Sequence, residues 1–255
     1  MNENFEEYIL DRKDKAGNFK KLINFYTNIW AGAKEGKYLK NDIELYELFK
    51  KDDEIEKCKN LNQLYFAGIP KEKDDKTLKK IVENIINPEI NNLSPENLLK
   101  ALNEYNIKND DKEKLSLYQS FISKYCHWHH EVNISKNHFP IFDKNVKYSL
   151  VYYQMTGAEI KKYEHLKYFV DKFIEEYLSE KLVGVNRIEL KLKIKIEKNN
   201  VPELLHEEIS IYRLVDKFLW LQYEIHSKIL KKNIKNIGAF SPSKIFYQIT
   251  GSGKK

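Results

Sequence analysis

The chain has 255 residues, of which 42% are hydrophobic and 32% are charged, which is typical of a soluble globular protein long enough to bury a core. No apolar run approaches the roughly 18 residues that a membrane-spanning helix needs, so a membrane protein is not expected. The two cysteines, Cys58 and Cys126, lie far apart and do not indicate a disulfide framework. The acidic N-terminus lacks the order of a signal peptide, so we expect a cytoplasmic protein. The formal net charge of +6 mildly favours a polyanionic partner such as nucleic acid.

The first hundred residues show apolar positions spaced as on one face of a helix. The spacing predicts a helix that ends at Trp30, a second over 41–49, and a third that starts near residue 75 and is ended by Pro88. Ser94, followed by proline, predicts the N-cap of a fourth helix.

The rest of the chain is also mostly helical in pattern. Helices are predicted from 110 or 111 to 130, over 143–155, over 160–182 and along 211–221, whereas strict alternation within 187–198 predicts a strand. We therefore predict a mainly α fold in which residues 1–250 form one domain of two helical lobes around a cleft. The tail, 251–255, is predicted to be disordered.

A lysine and an aspartate nineteen positions apart indicate the chemistry, within a catalytic segment predicted at 110–155. Lys124 is flanked by apolar residues, and an amine attacks an electrophilic carbon only in the neutral form that such surroundings favour. Asp143 follows the Phe139–Pro140 turn and precedes a helix, so first-turn amides are expected to keep its carboxylate ionised. The pair predicts a nucleophile and a carboxylate that stabilises the developing positive charge.

The segments Ser123–Trp128 and Phe139–Val146 resemble the catalytic region of the 8-oxoguanine DNA glycosylases, which belong to the helix-hairpin-helix glycosylase superfamily. That family carries a lysine at the head of the second hairpin helix and, about twenty residues later, an aspartate in an apolar-Pro-x-Asp turn. This chain has one more residue between Pro140 and the aspartate than the common pattern. The segment Arg213–Trp220 is similar, more weakly, to the final helix of bacterial members.

The resemblance implies a DNA glycosylase with AP lyase activity that needs no metal or organic cofactor. Lys124 would attack the anomeric carbon of a flipped nucleotide, form a Schiff base and cleave the strand by β-elimination, while Asp143 stabilises the cationic sugar. The expected partner is double-stranded DNA with a damaged or modified base, bound by a monomer. Base excision repair of an oxidised base and defence against a modified phage base both remain open.

Other side chains are candidates for contacts with DNA. We expect the base pocket to include Tyr125, His127, Trp128 and Trp220, although core packing is the alternative, and the better one for Trp220. Contacts to the DNA backbone are predicted for Ser120, Ser123, Lys144 and Lys147, and a third lysine, Lys136, is a further candidate. For the lysines the alternative is a solvated surface.

Two further hypotheses come from other classes of protein. The family hairpin is rich in glycine, but residues 119–123 contain none, which motivates a non-catalytic protein that binds DNA or a partner with a degenerate glycosylase fold. A metal-dependent hydrolase is the third hypothesis. It rests on a group of thiol and imidazole side chains, Cys126, His127, His129, His130 and His138, of which Cys126 and His130 share a helix face.

Overall fold

The computed structural model describes residues 5–30, 37–65, 74–108, 118–133, 139–156, 160–178 and 210–233. These residues are mainly helical, which confirms the predicted mainly α fold. The α-helices are α1 (Lys15–Phe25), α2 (Lys37–Phe49), α3 (Glu54–Tyr65), α4 (Asp74–Ile81), α5 (Asn87–Glu89), α6 (Pro95–Lys108), α7 (Gln119–Asn133), α8 (Lys144–Tyr152), α9 (Tyr163–Phe173) and α10 (Ile211–Asn233). Three π-helical turns, Tyr26–Trp30, Val82–Ile86 and Ile174–Leu178, continue α1, α4 and α9. The predicted strand and tail lie outside the described residues.

Short polar side chains start several of these helices. Asp14, Asp53, Ser94 and Asp143 each accept a hydrogen bond from a backbone N–H two or three residues further on. Such caps satisfy amides that have no partner within the helix. The starts predicted at Ser94 and Asp143 are confirmed by these bonds.

Two details of the sequence-based prediction are wrong. Pro88 does not end the third helix, because it lies in the first turn of the short α5, where its missing N–H needs no partner. Helix α3 was not predicted. Its apolar stripe is interrupted by Lys57 and Asn62, which are buried among Cys58 and Leu61, so the sequence lacks a clean helical period there.

The buried apolar side chains form two clusters, and the predicted arrangement of two lobes around a cleft stays a prediction. The first cluster joins α1, α8, α9 and α10, and the second joins α2, α3, α4, α6 and α7. The segment 139–142 passes from one to the other, because Phe139 packs in the second cluster and Phe142 in the first. The turn before Asp143 therefore lies where the two clusters meet.

No helix among the described residues is both long enough and apolar enough to cross a membrane.

Candidate active site

Helix α7 holds the turn that precedes Asp143 through two side chains one helical turn apart. The hydroxyl of Ser123 accepts a hydrogen bond from the backbone N–H of Phe142 at 2.8 Å and donates one to the carbonyl of Ser120 at 3.1 Å. The ring of His127 lies with Nδ1 2.8 Å from the carbonyl of Phe139, and since a carbonyl only accepts, Nδ1 carries the proton. Both ends of the segment 139–142 are thus fixed to the helix that carries Lys124.

Lys124 and Asp143 meet at this junction. The Nζ of Lys124 lies 3.5 Å from Oδ2 of Asp143 and donates a 3.0 Å hydrogen bond to the carbonyl of Tyr65 at the end of α3. The other carboxylate oxygen, Oδ1, accepts the backbone N–H of Asn145 at 2.7 Å. The lysine side chain is 4% exposed and the aspartate side chain 18%. The amine is therefore buried beside a carboxylate that still reaches solvent.

A second carboxylate, that of Asp216 on α10, lies in the same electrostatic environment. Asp216 is 6% exposed, and its Oδ1 has no hydrogen-bond partner among the described residues. Burial raises the pKa of Asp216 to about 7, the positive charges of Lys217 and Lys124 lower it, and the negative charges of Asp143 and Asp42 raise it. We refer to Lys124, Asp143 and Asp216 as the lysine site. With all three ionised it carries two negative charges and one positive charge.

Behind the lysine site lies a second group of buried charges, which we call the balanced network: Asp42, Glu131, Arg213 and Lys217. The carboxylate of Asp42 is 3.4 Å from the Arg213 guanidinium and 3.2 Å from the Lys217 ammonium, and it accepts a 3.0 Å hydrogen bond from the indole of Trp30. The guanidinium also lies 3.7 Å from Glu131. Burial alone would raise the pKa of Asp42, but the nearby charges of Lys217 and Arg213 lower it below its ordinary value.

Aromatic rings surround the ammonium of Lys217. Its Nζ lies 4.6 Å from the ring centres of Trp30 and Tyr65 and 6.0 Å from that of Trp128. The hydroxyl of Tyr65 donates to Asp42 and lies 2.6 Å from the Lys217 Nζ. Tyr65 therefore contacts the balanced network through its hydroxyl and the lysine site through its carbonyl.

The structure brings only some of the predicted pocket residues near Lys124. Trp128 is fully buried and packs edge-on against Tyr65, with the Arg213 guanidinium 4.6 Å above its ring. Tyr125 is also fully buried, but its hydroxyl donates to Glu54 on α3. Trp220 is half-buried at the edge of the first cluster, where it meets Trp30 edge-on at 6.3 Å.

The predicted backbone contacts lie on both sides of Asp143. Lys144 is exposed with Nζ 5.7 Å from the ring of Tyr148, and Lys147 is half-buried with Nζ 4.3 Å above the ring of Phe142. Ser120 is half-buried. Ser123 is fully buried and holds the turn, so a phosphate contact there would require the segment 139–142 to move. Lys136 lies outside the described residues.

The histidines of α7 serve packing in this structure. His130 directs Nε2 to the carbonyl of Leu93 at 2.7 Å, and burial lowers the pKa values of His127 and His129 to about 4, so both are neutral at pH 7. Within the described ranges no three His, Cys, Asp or Glu side chains are grouped to hold a metal ion. His138, the last member of the predicted group, lies outside those ranges.

Sequence reasoning gave no role to the charged side chains of α10. Arg213, Asp216 and Lys217 interrupt the apolar residues of that helix, and all three are buried. The partners Asp42 and Tyr65 come from distant helices and carry no local pattern. The usable signal was three charges within five positions of an otherwise apolar helix face, which indicates buried pairing.

Comparisons with protein-family models, with curated proteins and with solved structures found no match for this chain.

Proposed function

We propose that the protein is a DNA glycosylase with AP lyase activity, acting on double-stranded DNA that contains an oxidised or otherwise modified base. One observation carries the proposal: a buried lysine amine lies 3.5 Å from a capping aspartate that keeps access to solvent. The pair has the residue types that amine-based sugar chemistry needs, a nucleophile and an anion beside it.

In the proposed reaction the Lys124 amine attacks C1′ of a nucleotide flipped out of the duplex, and the bond from C1′ to the base breaks. Positive charge develops on the sugar as the base departs, and Asp143 stabilises it because its carboxylate is fixed by the backbone N–H of Asn145 in the first turn of α8. A proton then moves from nitrogen to the ring oxygen, which opens the sugar and leaves a Schiff base. Loss of a proton from C2′ expels the 3′ phosphate.

The chain offers a closely matched control for the lysine. Lys57 and Glu54 form an ion pair at 2.7 Å with side chains 4% and 17% exposed, against 4% and 18% for Lys124 and Asp143. The control pair lies within the single helix α3, whereas the candidate pair joins α7 to the turn before α8. The two lysines are therefore alike in burial and in having a carboxylate partner, and they differ in position and in the length of the ion pair.

The test is covalent trapping with borohydride on duplexes that contain an abasic site, 8-oxoguanine or a phage-type modified cytosine. We expect wild type and Lys57→Gln to be trapped on the same duplex, and Lys124→Gln to give no adduct. Trapping of Lys124→Gln at the wild-type level would show that another amine reacts. Absence of trapping by wild type on every duplex would overturn the proposed function.

A non-catalytic DNA-binding protein is the second candidate, favoured by the absence of glycine from 119–123 and by the burial of Ser123. It predicts that DNA binding weakens with salt, that Lys124→Ala binds as wild type does, and that neither cleaves a bond. Fluorescence anisotropy over a salt series, run beside the trapping assay, separates the two candidates.

A further inference from the structure

We infer that Tyr65 is a positioning residue that directs the nucleophilic lone pair of Lys124. The inference rests on the proposed function and assigns a role to a residue outside the Lys124–Asp143 pair. An amine reacts through its lone pair, so the direction of that lone pair decides whether it meets C1′ in a reactive geometry. Once the ammonium has given one proton to solvent, the groups that bind its two remaining N–H bonds set this direction.

The carbonyl of Tyr65 is available to bind one of these N–H bonds. Tyr65 is the last residue of α3, and the final carbonyls of an α-helix have no N–H partner within the helix. The Nζ of Lys124 donates to this carbonyl at 3.0 Å, and it lies 3.5 Å from Oδ2 of Asp143. A carbonyl and an ionised carboxylate both accept and cannot donate. Each therefore faces an N–H bond of the tetrahedral nitrogen, and the lone pair is left to point away from both.

The side chain of Tyr65 fixes the place of this carbonyl. Its hydroxyl donates to Asp42 and accepts a 2.6 Å hydrogen bond from the Nζ of Lys217. Its ring packs edge-on against Trp128 with the ring centres 6.0 Å apart, and the Lys217 Nζ lies 4.6 Å from the centre of the tyrosine ring. Side chains of α2, α7 and α10 thus hold Tyr65 at the end of α3, and the acceptor of the Lys124 amine is held with it.

A purely structural role for the same contacts has a different consequence. If the carbonyl of Tyr65 only compensates the burial of Lys124, loss of its anchor lowers the amount of folded protein and leaves each folded molecule as reactive as before. If the carbonyl directs the lone pair, each folded molecule reacts more slowly and still binds the duplex as tightly. The rate constant and the final amount of adduct therefore separate the two roles.

The experiment is borohydride trapping with an excess of a duplex that contains one abasic site. Reduction is irreversible, so each protein molecule reacts once and the final adduct counts the competent molecules. Tyr65→Phe keeps the ring and removes the hydroxyl. We expect its rate constant at saturating DNA to fall about tenfold or more, while the half-saturating DNA concentration and the final adduct stay within about twofold of wild type. Tyr212→Phe is the control, because the hydroxyl of Tyr212 also donates to a carboxylate, that of Asp171, at 2.5 Å. It should keep the wild-type rate constant.

A second variant changes the carbonyl and keeps the tyrosine. An ester in place of the peptide bond that follows Tyr65 makes this carbonyl a weaker hydrogen-bond acceptor, so the rate constant at saturating DNA should fall here as well. An ester after Lys108, the last residue of α6, is the control for the loss of one amide at a helix end.

A smaller amount of adduct at an unchanged rate constant would show that Tyr65 only supports the structure, and wild-type values in both variants would show that it has no role. A lower rate constant in only one of them would break the connection between the side chain and the carbonyl. Each of these results overturns the inference, while the proposed function stands as long as wild type is trapped and Lys124→Gln is not. If wild type itself gives no adduct on the abasic duplex, both fail together.

Discussion

The lysine site and the balanced network are two groups of buried charges next to one another, and they differ in the sum of their charges. The balanced network contains two carboxylates and two cations, all within 3.2–3.7 Å of an opposite charge. The lysine site has two carboxylates and one cation, and one oxygen of Asp216 has no partner in the described part of the chain. Paired charges fix a structure, whereas an excess carboxylate at low dielectric binds a proton near neutral pH.

The two groups also differ in solvent exposure and in the elements through which they connect the two apolar clusters. Asp42 and Arg213 are completely buried, while Asp143 keeps part of its carboxylate exposed. Both groups connect the two apolar clusters, but the balanced network does so through ion pairs between α2 and α10, and the lysine site through α7 and the turn before α8. The balanced network therefore holds the helices, and the lysine site is placed by them.

The largest expected loss of stability comes from a substitution that breaks the balanced network. Asp42→Asn leaves Arg213 and Lys217 buried beside a neutral amide, and removal of one partner of a buried ion pair costs about 3–5 kcal/mol of unfolding free energy. Urea denaturation at pH 7 measures the loss. The exposed pair of Glu47 and Lys50 supplies the control, because Glu47→Gln should change stability by less than about 0.5 kcal/mol. Equal effects of the two substitutions would show that burial of the network contributes nothing.

The next largest expected effect is a gain in stability, and it comes from a substitution in the lysine site. Burial raises the pKa of Asp216 in the folded state to about 7, above its ordinary value. Between about pH 4 and pH 7 the folded state therefore binds more protons than the unfolded state. The folded state loses stability as the pH rises through this window. Asp216→Asn removes this cost. We expect it to be more stable than wild type at pH 8, by up to about 4 kcal/mol, and nearly equal at pH 4.

Denaturant unfolding of wild type and Asp216→Asn at pH 4, 6 and 8 measures this pH dependence. A variant that is less stable than wild type at pH 8 would place Asp216 among the paired, structural charges and remove the contrast between the two groups.

The smallest expected change in stability comes from Ser123, whose hydroxyl holds the turn that carries Asp143. Ser123→Ala leaves the N–H of Phe142 buried without its acceptor, which costs about 1–2 kcal/mol. The same change frees one end of the segment 139–142, so trapping should slow by more than the loss of folded protein explains. Ser149→Ala on α8, where a buried hydroxyl also bonds a backbone group, is the control that should lose stability without slowing trapping.

The sequence predicted most helices, because their apolar positions repeat with the helical period and their caps carry Ser94 or Asp143. It also paired Lys124 with Asp143 as nucleophile and anion, and the structure places Nζ and Oδ2 3.5 Å apart; their roles remain a proposal. The pairing was accessible because both residues lie in one short stretch of chain with a turn between them.

The remaining features depend on contacts between distant segments. Asp42 lies 171 positions from Arg213, and only folding shows that one carboxylate serves two cations of α10. Helix α3 was missed for a related reason, since the burial of Lys57 depends on its ion pair with Glu54 and not on hydrophobicity. The part played by Ser123 was also hidden, because a hydroxyl near a proposed site is equally compatible with a ligand and with a backbone amide.

The segment 139–142 crosses from one apolar cluster to the other, and the ion pair of Lys124 and Asp143 lies at this crossing. Lys124 lies on α7, which packs in the second cluster, and Asp143 caps α8, which packs in the first, so the distance from Nζ to Oδ2 depends on how the two clusters are placed against each other. A spectroscopic distance measurement between the two clusters would therefore also report on the spacing of this ion pair.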